Sequence, residues 1–231
     1  MGVTLQKVIP FGRSLDEYIK MFNLSEADLQ STILGIADGP ASFNAEATQH
    51  GSQITSVDPL YQFSASDIRQ QFDAVVDDII QQVAATSDDY VWTYHSSPDA
   101  LKKSRVQSIE RFLADYEIGL RDKRYQIGEL PHLNFPDYHF DIALCSHFLF
   151  LYSDQLGEVF HQQAIAELLR VSKEVRIFPL LTLMLERSPY IDALTTTLEQ
   201  ANYVVSIVRS GYEFQKGGNE MMVVRLNTSV V

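Results

Sequence analysis

The sequence predicts an α/β fold, a mostly parallel sheet with helices on both faces, and three observations carry that prediction. Short apolar runs that read as buried strands alternate with amphipathic helical patterns along most of the chain. The first two such strands, at 32–37 and 53–58, enclose one helix in a span that implies a right-handed parallel unit. The last two, at 203–208 and 221–226, are joined through Gly217-Gly218-Asn219 and read as an antiparallel hairpin.

Ser14 and Glu17 form a capping-box pattern, and Leu15, Ile19 and Phe22 then recur at helical spacing, so the chain opens with a short helix. Ser25 caps a second, with Leu24 and Leu29 placed as a hydrophobic staple. Thr32-Ile33-Leu34-Gly35-Ile36-Ala37 is the first strand and Asp38-Gly39-Pro40-Ala41 the turn after it. Pro40 suits the first helical position, and the helix runs through Phe43–Ala47 until Gly51. Gln53–Asp58 is the second strand, closed by Pro59.

A helical insertion over about 64–123 follows. In its first helix Ser66 caps, and Ile68, Phe72, Val75, Val76, Ile79 and Val83 share a face. Pro98 opens its second, with Val106, Ile109, Leu113, Tyr116 and Leu120 inward. Between them Tyr90, Trp92 and Tyr94 cluster in a loop or short strand. The first helix is acidic and the second basic, which predicts a pair that shields its own charge. Beyond it come a strand at Phe140–Cys145, a helix from about Gln155 to Val171, a strand at Glu174–Phe178 and a helix opened by Pro189. No internal repeat or low-complexity tract divides the chain, so 1–231 is read as one domain.

Composition narrows the function. Of 231 residues 45% are hydrophobic and 21% charged, as in ordinary globular proteins. The net charge of -12 repels phosphate backbones and argues against a nucleic-acid partner. Cys145 stands alone, so no internal disulfide forms, and the histidines form no pair at metal-ligand spacing. No apolar run approaches the ~20 residues that cross a bilayer, and the N-terminus lacks a signal-peptide core, so a cytoplasmic protein without a membrane partner is expected. There is no GxSxG elbow and no P-loop lysine motif.

The chemistry-bearing pattern is the strand-turn-helix at Ile33–Phe43 with Asp58 at the end of the next strand. A nucleotide-like ligand needs close approach to backbone, which Ala37, Gly39 and Ala41 allow, and an acceptor for ribose hydroxyls about 20 residues on, which Asp58 supplies. Gly128-Glu129 then precedes Leu133-Asn134-Phe135-Pro136-Asp137-Tyr138-His139-Phe140-Asp141, and the strand ends at Ser146-His147. These segments resemble two blocks of the class I S-adenosylmethionine (SAM)-dependent methyltransferases, "vLDlGcGpG" at Ile33–Phe43 and "gDa..LPFpd..FDlv.s...l" from Gly128 onward. The resemblance runs from about Thr32 to Leu226.

The resemblance implies a Rossmann-like three-layer sandwich, with a mostly parallel seven-stranded sheet ending in an antiparallel C-terminal strand. It implies SAM as cofactor and a small-molecule or peptide methyl acceptor. Ala37, Asp38, Gly39 and Ala41 would form the loop under the methionine part, and Asp58 with Pro59 would take the ribose. Glu129 would sit near the adenine amine, and Ser146 and His147 beside the sulfonium. His147 would serve as the base, titrating near neutrality. Tyr90, Trp92 and Tyr94 would act as a lid, and 212–219 would border the acceptor pocket.

The sequence departs from the family at the loop: its acid is Gly35 here, and its first and third glycines are Ala37 and Ala41. Asp38 either supplies the missing carboxylate or caps the following helix. The altered loop suits a rival reading, a catalytically inactive methyltransferase-like binding or scaffold protein. Against a nicotinamide-dependent oxidoreductase stand the missing complete GxGxxG and the final hairpin.

Overall fold

A computed structural model describes residues 11–228. Seven strands form one sheet in the order β3-β2-β1-β4-β5-β7-β6. They are β1 (Thr32–Ile36), β2 (Gln53–Val57), β3 (Tyr125–Gln126), β4 (Phe140–Ser146), β5 (Ser172–Phe178), β6 (Tyr203–Arg209) and β7 (Glu220–Leu226). The first five pair parallel; β7 pairs antiparallel with both β5 and β6. This is the Rossmann-like sheet with an antiparallel end that the sequence predicts.

The period-2 alternation of the central strands makes the three layers. Leu34, Ile36, Ala143, Cys145, Val175, Ile177, Met222 and Val224 face one side, with the helices α7 (Glu158–Val171) and α8 (Ile191–Gln200). Ile33, Ile54, Ile142, Leu144, Phe178 and Val223 face the other, with α1 (Leu15–Phe22) and α3 (Phe43–Gln49). At the base of the sheet Asp141 accepts hydrogen bonds from the Thr32 backbone (3.0 Å) and hydroxyl (2.8 Å), which ties β1 to β4.

The capping boxes at Ser14 and Ser25 form as read, the second on the short helix α2 (Glu26–Leu29). Other boundaries move. Pro40 does not start α3; Ser42 occupies that cap, because the chain first spends Ala37 and Gly39 in left-handed conformations before it can turn helical. Ser64, not Ser66, caps the insertion, with Asp67 completing the box. The acidic stretch is two helices, α4 (Ala65–Asp73) and α5 (Val76–Ala85), rather than one. A 3₁₀ turn at Phe150–Tyr152 delays α7 to Glu158, and α8 begins at Ile191, two residues past Pro189.

The long helix α6 (Pro98–Arg121) opens at Pro98 as expected, but its buried face is Leu101, Arg105, Ser108, Ile109, Phe112 and Tyr116. Val106, Leu113 and Leu120 lie at its margin and pack from the side. The charge shielding is also different. Across the pair only Lys102 and Asp77 meet among the described residues, while Arg105 pairs with Glu17, Arg111 with Glu46 and Arg124 with Asp115. Arg105 and Arg111 therefore fasten α6 to α1 and α3, while Arg124, past the end of α6, pairs back onto its Asp115.

Candidate functional site

A cleft of about 500 Å³ opens at the carboxyl ends of β1, β2 and β4, within the size range of small-molecule sites. It lies where the chain leaves β1 in one direction and β4 in the other, the point at which open α/β sheets leave a crevice. Ala37, Asp38, Gly39, Asp58, Pro59, Glu129, Ser146 and His147 all line it. Ala41 does not: it is buried among Tyr18, Phe43 and Ala47 under the loop.

The loop after β1 keeps a glycine-like path without the glycines. Ala37 holds φ 56° and Gly39 φ 54°, the left-handed region. The Ala37 N–H donates to the Val57 carbonyl at 2.9 Å, and the Tyr61 hydroxyl donates to the Gly39 carbonyl at 2.8 Å. Asp58 completes the clamp. One carboxylate oxygen accepts from the Gly39 N–H (2.8 Å), the other from the Leu60 N–H (2.7 Å), so the carboxylate fixes the loop and caps the 3₁₀ turn at Pro59–Gln62. Burial pushes its pKa up, and the two N–H donors oppose that. Each oxygen keeps a lone pair for a ribose hydroxyl.

Asp38 stands just after β1, in the lining of the cleft. It does not cap α3; its carboxylate folds back over Gly35, so that a Cβ on residue 35 would collide with Asp38 Oδ2. The Tyr18 hydroxyl donates to Oδ1 at 2.6 Å and the Ser56 hydroxyl to Oδ2 at 2.7 Å. Position 38 thus fills the space beside residue 35 with a carboxylate. Desolvation is the largest influence on it and lifts its pKa to about 6, with the two hydroxyl donors pulling the other way.

Glu129 is exposed, at the rim after β3. Ser146 ends β4, its Oγ 3.0 Å from His147 Nδ1. His147 takes a left-handed φ of 53°, anchored by its N–H to the Phe178 carbonyl (2.6 Å), and its ring stands edge-on to Phe178. Burial first, then the Arg13 and Arg105 charges, hold its imidazole well below the usual range, so the expected titration near neutrality is corrected downward. Of the three insertion aromatics only Tyr90 lines the cleft, stacked on Phe214 at 4.7 Å. Trp92 packs behind it and donates to the Ser87 carbonyl, and Tyr94 turns away to Asp16 and Tyr212.

Sequence reading missed Arg13, Tyr18, Ser56 and Arg105. The one available signal was Arg105, a charge one helical turn from both Leu101 and Ile109 on an apolar stripe. Among the described residues no three His, Cys, Asp or Glu side chains gather as metal ligands, and no helix is long and apolar enough to cross a membrane.

No family model matches the chain. It is 35% identical over 224 residues, 96% of this chain and 98% of the relative, to the uncharacterized protein MJ0045 of Methanocaldococcus jannaschii. Among solved structures it is similar to the PH0226 protein of Pyrococcus horikoshii (10% identity, 95% of this chain and 96% of that one, TM-score 0.48). It is similar to magnesium protoporphyrin IX methyltransferase of Synechocystis PCC 6803 with bound SAM (11%, 91% and 77%, TM-score 0.47). A SAM dependent methyltransferase of Aquifex aeolicus is a third such structure (15%, 91% and 87%, TM-score 0.41).

Proposed function

We propose that this chain, which belongs to the same family as the uncharacterized protein MJ0045 of Methanocaldococcus jannaschii, binds SAM in the cleft and directs its methyl group to a small-molecule or peptide acceptor. The observation that carries this reading is the Asp38 carboxylate beside Gly35, which returns an acid to the place where the resemblance to SAM methyltransferases has one. The left-handed Ala37 and Gly39 support it, since the loop keeps the backbone path a cofactor requires despite its substituted glycines. That weakens the case for an inactive scaffold, which rested on those substitutions.

SAM, when bound, supplies a methyl group on a sulfonium, already an excellent leaving group. The chain's residues then have alignment and proton handling to do. Asp58 would accept the ribose hydroxyls with Pro59 beside it, Glu129 would accept from the adenine amine, and Ser146 would border the methyl. His147, held neutral, would use Nε2 to take a proton from the acceptor while Nδ1 engages Ser146.

Calorimetry with S-adenosylhomocysteine tests the cofactor. Micromolar binding is expected, weakened by about 1.5–3 kcal/mol in Asp58→Asn, the scale of a hydrogen bond to a charged group; a wild type that binds none removes the reading. Once an acceptor is found, His147→Ala should cost about 10²–10⁴ in kcat. The wild-type rate should stay flat through neutrality and fall only below the ordinary imidazole range. A wild-type midpoint at or above neutrality would remove His147 as the base.

A further inference from the structure

Two arginines line the cleft, and one of them is paired with a buried carboxylate. Arg105 is 2% exposed, and its outer nitrogens donate to Glu17 Oε2 (2.8 Å) and Oε1 (2.7 Å). Arg13, half-buried just before α1, donates from Nη1 to the Phe11 carbonyl at 3.2 Å and has no ion pair with a carboxylate among the described residues. The Nε atoms of both arginines are buried and have no hydrogen-bond partner among the described residues. Both side chains line the cleft.

The groups around them do not balance the charge. Glu17 is fully buried and ionised, held well below its usual range. His95 touches Glu17 and Arg105 and is pushed down by burial, and Tyr18 and Tyr212 are pushed up by burial, so all three stay neutral. Asp38 lies beyond Tyr18 with its carboxylate engaged by Tyr18 and Ser56. Two guanidinium groups against one carboxylate leave an excess positive charge in a poorly hydrated wall, a costly arrangement without a counter-charge.

The location of that charge says which molecule it faces. Arg13, Arg105 and His147 line the same cleft, so a molecule that reached His147 would lie within the field of both guanidinium groups. Around it the lining is apolar, with Phe11, Tyr90, Leu101 and Phe214.

We propose that the acceptor is an anion with an aromatic or aliphatic body, its carboxylate or phosphate received by Arg13 with Arg105 behind it. This rests on the methyl-transfer reading for the word acceptor, though the anion site stands on its own geometry. Arg13 is the specificity residue: its guanidinium fork, and not merely a positive charge, selects the planar or tetrahedral anion. An anion seated there also offsets the charges that depress His147 and so makes it a stronger base in the loaded enzyme.

The test is calorimetry on the full chain with benzoate, octanoate and phenyl phosphate, each against its neutral counterpart, benzamide, octanamide and phenol. The anions should bind about tenfold more tightly or better in the wild type, a preference lost in Arg13→Gln and retained in weakened form in Arg13→Lys, as a charge-assisted contact requires. In the unsubstituted protein benzoate, and not benzamide, should raise the His147 titration midpoint followed by NMR, a readout that needs no variant to fold. Equal binding of charged and neutral probes, or a preference that survives Arg13→Gln, overturns the proposal. So does an Arg13→Gln variant that loses affinity for S-adenosylhomocysteine but not for 5′-methylthioadenosine, since the anion would then be the cofactor's own carboxylate. Wild-type protein that ignores S-adenosylhomocysteine yet prefers benzoate through Arg13 upholds the anion site and removes the methyl-transfer reading alone.

Discussion

Gly35 and Asp38 pack against each other at the end of β1. A side chain at 35 and the carboxylate at 38 compete for one space, so glycine at 35 is what lets Asp38 fold back between Tyr18 and Ser56. The arrangement has a pH signature. Because the folded-state pKa is raised, from 3.8 to about 6, the folded state holds its proton to higher pH than the unfolded chain. Asp38 therefore favours folding most at pH below the ordinary aspartate value, and that contribution is lost as pH rises through about 6, on the order of 3 kcal/mol by the linkage relation. His147 runs oppositely. Its folded pKa lies below 6.5, so stability rises with pH until the unfolded imidazole is deprotonated. Urea unfolding of the wild type and Asp38→Asn between pH 4 and 7 separates the two: the stability difference should shift steadily in favour of the variant as pH rises. A difference that does not change with pH would mean that Asp38 is not a buried titrating acid. The sequence showed an acid one turn from its expected place; that its oxygens reach residue 35 depends on Tyr18 and Ser56, which sit on other elements.

At the scale of elements, the insertion is bound into the domain by buried charge. Glu17 at once completes the capping box of α1 with Ser14 and receives Arg105 from α6, so helix end and interhelical tie share one carboxylate. Removing the cation strands that carboxylate in the interior, and Arg105→Met should cost about 3–5 kcal/mol in denaturant unfolding, the range for breaking one side of a buried pair. A loss below about 1 kcal/mol would show the pair to be replaceable by apolar packing. The aromatic loop is held as well: the Val91 N–H donates to the Phe214 carbonyl (2.7 Å) and the Lys216 N–H to the Asp89 carbonyl (3.0 Å), which zips it to the segment before β7. The helical pattern located α6 and its Pro98 start. It placed Ile109 and Tyr116 inward, as they are, but chose Val106 over Arg105 and Leu113 over Phe112, because an arginine occupies a core position and hydrophobic periodicity reads Arg105 as surface.

For the whole molecule the sheet order sets where stability is concentrated. β1, β4 and β5 are paired on both sides and covered by helices on both faces, whereas β3 is a two-residue edge strand and β6 is an exposed one. Native-state hydrogen exchange should therefore find the slowest amides at Ile33–Ile36, Ile142–Cys145 and Val175–Ile177, opening only with global unfolding. β3 and β6 should exchange by smaller openings. Equal protection in β6 and β4 would contradict this hierarchy. The cleft lies at the carboxyl ends of β1, β2 and β4, each paired on both sides, so the two loops that carry Asp38 and Asp58 start from rigid ground.

The sequence by itself determined the α/β class, six of the seven strands, the closing hairpin, the insertion and the lining positions from Ala37 to His147 other than Ala41. The elements follow from local physics, since strand and helix periods, caps, and turn residues act over a few positions and are written in adjacent letters; the lining positions came from the resemblance to the SAM-dependent methyltransferase blocks. Only the tertiary structure decided that β3 joins the sheet, that Ala41 leaves the cleft, that Asp38 reaches Gly35, that His147 stays neutral, and that Arg13 and Arg105 line one cleft while Glu17 pairs with Arg105. Each of these depends on burial and on partners distant along the chain, as Glu17 is from Arg105 and Tyr18 from Asp38. Desolvation and charge pairing are properties of three-dimensional neighbourhoods, and no pattern of adjacent residues encodes them.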